Sequence, residues 1–160
     1  EQRMAGFFMR LFALNLKGRK DAYMLEQLMV RVPLEQRRTL IRYARLDDRW
    51  RSLTGELLIR MYCSQTFDLS NSEIRIVRDS YGKPYVHLDP DFHYSVSHSG
   101  HWVVCAVDNH PIGIDVEEVC TVDTDLIHFC CTEEEIERYL LIANDDARMD
   151  YFYRLWTIKE

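Results

Sequence analysis

The chain has 160 residues, the size of about one domain, and 47% of them are apolar, enough to build a core and too many for a disordered chain. Its formal net charge of −6 argues against a protein that grips nucleic-acid phosphates, because such proteins are usually basic. No apolar run approaches the ~20 residues of a membrane-spanning helix, no basic-then-apolar leader opens the chain, and the five cysteines form no C-x-x-C pair, so the expectation is reduced thiols in a cytoplasmic protein with no membrane and no nucleic-acid partner.

Met4 to Leu14 is apolar and carries β-formers, including Phe7, Phe8 and Phe12, which predicts a first strand. Lys17-Gly18-Arg19-Lys20 is a loop. Asp21 is placed to cap a helix to Val30. Pro33 suits a helix start, and a helix from there is predicted to about Ala44. From about Asp47 to Ser64, Trp50, Leu53, Leu57, Leu58 and Met61 recur at helical spacing and form one apolar stripe.

The period then changes to two. Ile74 to Val77 is a short strand, and Asp79 to Pro84 is a turn. Phe92 to Ser97 and Trp102 to Val107 are strands joined through His98-Ser99-Gly100-His101, and Ile112 to Val116 is a third. Connections this short dictate an antiparallel meander. Thr132-Glu133-Glu134-Glu135 is a capping box opening a helix to about Ala143. Asp145 or Asp146 caps a last helix, which stops at Glu160 without a C-cap glycine or proline. The chain also opens at Glu1 instead of methionine, so a stretch of a longer protein is expected.

Five constellations carry chemistry. In Gly113-Ile114-Asp115-Val116-Glu117, a strand would put Asp115 and Glu117 on one face, about 6.6 Å apart along the chain. Such a pair suits Mg²⁺, which is held by one or two carboxylates plus substrate phosphates and waters; a solvated strand face is the plain alternative. Ser95-Val96-Ser97-His98-Ser99-Gly100 gathers hydroxyls, an imidazole and turn N–H groups that can bind phosphate oxygens. A serine–histidine hydrolase is disfavoured there, because adjacent Ser97 and His98 point to opposite faces and no G-x-S-x-G elbow surrounds them. Tyr81-Gly82-Lys83-Pro84 is a turn bearing one charge. Arg37, Arg38, Arg42, Arg49 and Arg51 offer forked donors for a phosphate monoester, or simply a solvated helix face. In Trp156-Thr157-Ile158-Lys159-Glu160, Glu160 lies one helical turn beyond an anchoring Trp156.

Taken in order, Tyr81-Gly82-Lys83-Pro84, Phe92 to Gly100, Ile112 to Glu117 and Leu155 to Glu160 resemble the phosphopantetheinyl transferase superfamily. Its signature pairs G-[IV]-D-x-E with a downstream W-x-x-K-E. The S-H-S motif and the Arg51-x-Leu53-x-Gly55 segment make the chain similar to the surfactin-type group. The resemblance implies an α+β, pseudo-two-fold fold of antiparallel sheets packed with helices. Residues 1–109 would form an N-terminal α+β lobe, and 110–160 the start of an incomplete C-terminal lobe, truncated before a further lysine and sheet.

It also implies Mg²⁺ on Asp115, Glu117 and Glu160, with Asp115, Lys159 and Glu160 as catalytic groups. Coenzyme A would lie against Arg38, Arg51, Gly82, Lys83, Pro84, Ser97 and His98. Where the family often has a lysine, this chain has Glu35, two positions from Arg37. The implied reaction moves phosphopantetheine from coenzyme A to a serine of an acyl or peptidyl carrier protein, as in secondary metabolite biosynthesis, by an enzyme that is a monomer at full length. A coenzyme A or nucleotide-binding module without catalysis is the alternative, and a structural or interaction domain is a third.

Overall fold

The computed structural model describes residues 9–18, 21–80, 82–87 and 92–160. They form an α+β arrangement that divides into two compact units, Glu1–Ile114 and Asp115–Glu160. None of its helices is long and apolar enough to cross a membrane. The predicted strand residues 4–8, together with Arg19, Lys20 and Tyr81, lie outside the described residues.

The first unit runs β1 (Arg10–Asn15), α1 (Ala22–Met29), α2 (Leu34–Ile41), α3 (Leu46–Phe67), β2 (Ile76–Arg78), β3 (Pro84–Val86), β4 (His93–Ser99) and β5 (Trp102–Asp108). Asp21 caps α1 as expected, accepting from the Tyr23 N–H at 2.9 Å. The second helix ends at Ile41, three residues short of Ala44. β4 and β5 form the predicted antiparallel hairpin, with Val96 opposite Cys105 and His98 opposite Val103.

The third strand of that sheet is β1, paired antiparallel to β5 in the order β1-β5-β4. The predicted strand Ile112–Val116 does not form: residues 111–123 carry no regular secondary structure. Alternating residues favour extended backbone, but a strand also needs a neighbour to complete its ladder, and β1 occupies the open edge of β5. β2 begins two residues later than expected and pairs with β3, whose first residue, Pro84, was expected in the turn and whose other two were left unassigned. Proline is tolerated at the first position of a strand.

Cross-strand partners share a face, so Phe12, Tyr94, Val96, His98, Val103, Cys105 and Val107 lie on one side of the sheet. Val103, Cys105 and Val107 are fully buried there, and α3 packs over them. The helix buries Trp50, Leu53, Leu58, Ile59, Tyr62 and Cys63. Met61, placed in the stripe from sequence, is 47% exposed; Tyr62 and Cys63 take the inward positions instead. The approach is closest at Gly55, where an added Cβ would stand 2.8 Å from the Val96 Cγ1. At the far end of α3, Tyr62 stacks on Phe92 at 5.8 Å, and Phe92 meets Phe67 edge-on at 5.5 Å.

Arg60 is buried and hydrogen-bonded through two of its nitrogens. Its Nε donates to Glu56 Oε1 at 2.8 Å, and its Nη1 donates at 3.2 Å to the carbonyls of Asn71 and Ile74. The guanidinium thereby ties the chain after α3 back onto the helix, with the backbone acceptors that a buried charge requires.

The second unit holds α4 (Thr124–Cys130), α5 (Glu133–Leu141) and α6 (Asp145–Lys159). The Thr132/Glu135 capping box forms as predicted. Asn144, not Asp145 or Asp146, caps α6 by accepting from the Ala147 N–H at 2.9 Å. α4 was not anticipated; it opens at Asp123, whose carboxylate accepts from the Asp125 N–H. Phe152 on α6 is fully buried and contacts the Trp156 ring at 6.0 Å.

All five cysteines are free. Burial pushes the Cys63 and Cys105 thiols up to about 12, and Cys120 is exposed. A pKa near 12 leaves about one part in 10⁴ as thiolate at pH 8. Iodoacetamide on the native protein is expected to label Cys120 while sparing Cys63 and Cys105 until denaturant is added, as peptide mapping will read.

Gly55→Ala weighs a helix-propensity gain of about 1 kcal/mol against a clash with a stiff β-branched side chain, and a net loss of about 1–2 kcal/mol is expected. In a Val96→Ala background the same change is expected to stabilise. A double-mutant cycle by urea unfolding measures the coupling.

Candidate functional site

Three groups of sequence-predicted residues can be located, two in the first unit and one in the second. The first is the β2–β3 turn. Asp79 organises it: the Gly82 N–H donates to the Asp79 carbonyl at 3.0 Å, and the Lys83 N–H donates to Asp79 Oδ1 at 2.8 Å. Arg78 Nη1 donates to the Gly82 carbonyl at 2.7 Å. Gly82 has φ +84°, the left-handed region that favours glycine, and open space lies where a Cβ would be. Glycine is therefore required here by backbone geometry, and no neighbour crowds it.

Beside this turn lies a cavity of about 190 Å³ lined by Asp79, Lys83, Pro84, Tyr85, Phe92, His93 and Tyr94. Lys83 and Pro84 were expected at a ligand site. His93 and Tyr85 were not, although His93 stands inside the F-H-Y-S-V-S-H-S-G run. The signal available was its place at the start of β4, beside the strand pair that carries Lys83.

The second group lies where α3 meets β4. Arg51 sits one turn before Gly55, and its Nη1 donates to the Gly100 carbonyl at 2.7 Å, while Nη2 pairs with Asp48. Its Nε is buried without a hydrogen-bond partner among the described residues. His98 shares a sheet face with Val96, the residue against which Gly55 packs, so His98 belongs to the Arg51 side of β4. Ser97 lies on the opposite face, with Ser95 and Ser99.

The other arginines divide sharply. Arg37 Nε and Nη2 both donate at 2.9 Å, to the Val32 and Val30 carbonyls, which holds the α1–α2 junction. Arg49 Nε donates to the Tyr43 carbonyl at 2.8 Å. Arg38 lies exposed on α2. Arg37 is thus engaged with backbone.

The third group belongs to the second unit. Asp115 and Glu117 are half-buried. The Trp156 indole N–H donates to Glu117 Oε1 at 3.1 Å, which pins that carboxylate to α6. Glu160 follows the last residue of α6; its N–H donates to the Trp156 carbonyl at 3.1 Å, and its side chain is exposed. Lys159 Nζ donates to Glu135 Oε2 at 2.5 Å and to the Cys130 carbonyl at 2.8 Å. The Lys159 hydrogen bond, with a backbone bond from Thr132, holds the Glu135 carboxyl below its usual range, and the same pairing raises Lys159.

Among the described residues, no three His, Cys, Asp or Glu side chains are grouped to hold a metal ion. Asp115, Glu117 and Glu160 therefore do not assemble as a three-carboxylate set. Asp115 and Glu117 remain oxygen donors of the type Mg²⁺ takes, and that ion commonly completes its shell with phosphate oxygens and water.

A family model described as the N-terminal part of 4'-phosphopantetheinyl transferase matches residues 20–110, and one described as the 4'-phosphopantetheinyl transferase superfamily matches residues 111–160. The chain belongs to the 4'-phosphopantetheinyl transferase superfamily. Among its relatives, the 4'-phosphopantetheinyl transferase gsp of Aneurinibacillus migulanus is 39% identical over 140 residues, covering 88% of this chain and 58% of the relative. The 4'-phosphopantetheinyl transferase Sfp of Bacillus subtilis is 37% identical over 135 residues, covering 84% and 60%. Another 4'-phosphopantetheinyl transferase of Bacillus subtilis is 36% identical over 154 residues, covering 95% and 67%. The chain thus spans roughly three-fifths of the length of the first two of these relatives.

Trp156→Phe keeps a ring against Phe152 and deletes the donor to Glu117. Hydrogen bonds to charged groups contribute about 1.5–3 kcal/mol when buried, so a loss of about 1 kcal/mol is expected at this half-buried pair, read as a lowered unfolding midpoint.

Proposed function

We propose that this protein transfers the phosphopantetheine arm of coenzyme A to a serine hydroxyl of an apo acyl or peptidyl carrier protein, with Mg²⁺, releasing 3',5'-ADP. The observation that carries the reading is the ordered set Lys83, His98, Asp115, Glu117 and Glu160 in a chain of this family. We place its action in the cytoplasm, where free thiols persist, and take the acting form to be a monomer.

Coenzyme A presents a 3'-phosphate, an adenine and a pyrophosphate. The cavity beside Gly82-Lys83-Pro84 offers a cation, a proline face and the rings of Tyr85 and Tyr94, which suit an adenine and its neighbouring charge. Arg51 and Arg38 are assigned to the 3'-phosphate. Arg51 already holds Asp48, so a phosphate there competes with a carboxylate for the same fork. His98 and Ser97 face opposite sides of β4, so one phosphate takes one of them directly; we assign the pyrophosphate to His98 and a different part of the cofactor to Ser97.

Asp115 and Glu117 would hold the metal, the Trp156 indole N–H fixing one oxygen of Glu117. A bound Mg²⁺ supplies charge neutralisation at the pyrophosphate. The carrier serine Oγ forms a bond to the phosphorus on the pantetheine side, and the bond from that phosphorus to the bridging oxygen breaks, carrying its electron pair to 3',5'-ADP. The serine proton goes to Glu160, directly or through one water, which needs an approach of about 3 Å.

Incubation with coenzyme A, Mg²⁺ and an apo carrier protein is expected to add about 340 Da to the carrier, the mass of the arm. Binding of coenzyme A without that addition would convert the reading to a cofactor-binding module. Asp115→Ala is expected to abolish Mg²⁺-dependent labelling, and retained labelling removes Asp115 from the metal site. His98→Ala is expected to raise the Kd for coenzyme A more than it lowers turnover at saturation; unchanged affinity contradicts the phosphate contact.

A further inference from the structure

We propose that Glu135 is a positioning residue. By holding the Lys159 ammonium against the Cys130 carbonyl, it fixes the last turn of α6 and with it the direction of the Glu160 carboxylate. The inference rests on the reading of Glu160 as the proton acceptor.

Four atoms make the device. Glu135 Oε2 accepts from the Thr132 N–H at 2.8 Å as the return half of the capping box, and the same oxygen accepts from Lys159 Nζ at 2.5 Å. Lys159 Nζ also donates to the Cys130 carbonyl at 2.8 Å, at the end of α4. An exposed lysine–glutamate pair ordinarily gains little, because two long side chains lose rotamer freedom to make it. Here the carboxylate is already immobilised by the cap, so the cost of ordering falls mainly on the lysine.

Two of the three ammonium donors are thereby directed at α5 and at the α4–α5 junction. That geometry assigns Lys159 to anchoring the turn that leads into Glu160, not to contacting coenzyme A or moving a proton. Trp156 is held by its bond to Glu117 and Lys159 by its bond to Glu135, so the turn that leads into Glu160 is fastened at both ends. A general base misplaced by about 1 Å loses on the order of a hundredfold in rate, so such fastening bears on turnover and not on cofactor affinity.

Glu135→Gln separates the two duties of this side chain, because glutamine still completes a capping box while losing the charge that draws Lys159. The variant is expected to lower kcat for phosphopantetheine transfer about tenfold with the KM for coenzyme A within about twofold of wild type. Lys159→Arg is expected to retain most of the activity, since the guanidinium still offers donors to both acceptors. Lys159→Met is expected to match Glu135→Gln, and the double variant to be no worse than Lys159→Met. Hydrogen exchange at the Ile158, Lys159 and Glu160 amides is expected to speed up in Glu135→Gln.

Wild-type kcat together with unchanged exchange in Glu135→Gln overturns the proposal. So does a Lys159→Met variant with KM for coenzyme A raised more than about tenfold while Glu135→Gln behaves as wild type, which assigns Lys159 to the substrate. If the wild-type protein adds nothing to an apo carrier, the transfer reading fails, and the exchange comparison alone then decides the clamp.

Discussion

The first unit depends on a single constraint: α3 must lie close enough to β4 and β5 to exclude water from Val103, Cys105 and Val107. Gly55 makes that distance available by presenting no side chain to Val96. The polar residues around this contact inherit their positions from it. Arg51 reaches the Gly100 carbonyl because it sits one turn from Gly55 on the same helix. His98 shares a face with Val96 because strands alternate. A glycine thus sets where a guanidinium and an imidazole stand relative to each other.

In the second unit the organising element is α6. Its buried anchor is Phe152, and its polar attachments come from the Trp156 indole and the Lys159 ammonium. Neither attachment is apolar, and each acceptor is a carboxylate: one on the segment ahead of α4, one in the first turn of α5. The helix end is therefore located by charge-assisted hydrogen bonds whose partners come from two different places in the chain.

Local signals were legible in the sequence. The Thr132/Glu135 box, the Asp21 cap and the β4–β5 hairpin each depend on residues within a few positions of one another, and each forms. Non-local choices were not. Ile112 to Val116 alternates while β5 is a nearly continuous apolar run, yet it is β5 that finds a partner in β1, about 90 residues earlier in the chain, and no pattern in either segment states that preference. Met61 fits a helical stripe, but the face that turns inward is decided by the sheet beneath, which selects Tyr62 and Cys63.

At the candidate site, the residue types were legible and their engagements were not. Nothing in a run of arginines distinguishes Arg37, spent on two backbone carbonyls, from Arg38, exposed on the same helix. The family resemblance implied three carboxylates, Asp115, Glu117 and Glu160, on one ion, while the structure gives Glu117 to an indole and groups no three acidic, His or Cys side chains among the described residues. His93 and Tyr85 line the cavity beside Lys83, a neighbourhood set by the placement of β3 and β4.

Arg60 carries a consequence for how this fold can vary. Its guanidinium is sealed beneath the segment from Asn71 to Ile74 and draws its acceptors from that stretch of backbone. Inserting or deleting a residue there would shift the carbonyls away from the guanidinium and strand a buried cation. Length drift in this connection is therefore closed to the protein unless position 60 first becomes neutral.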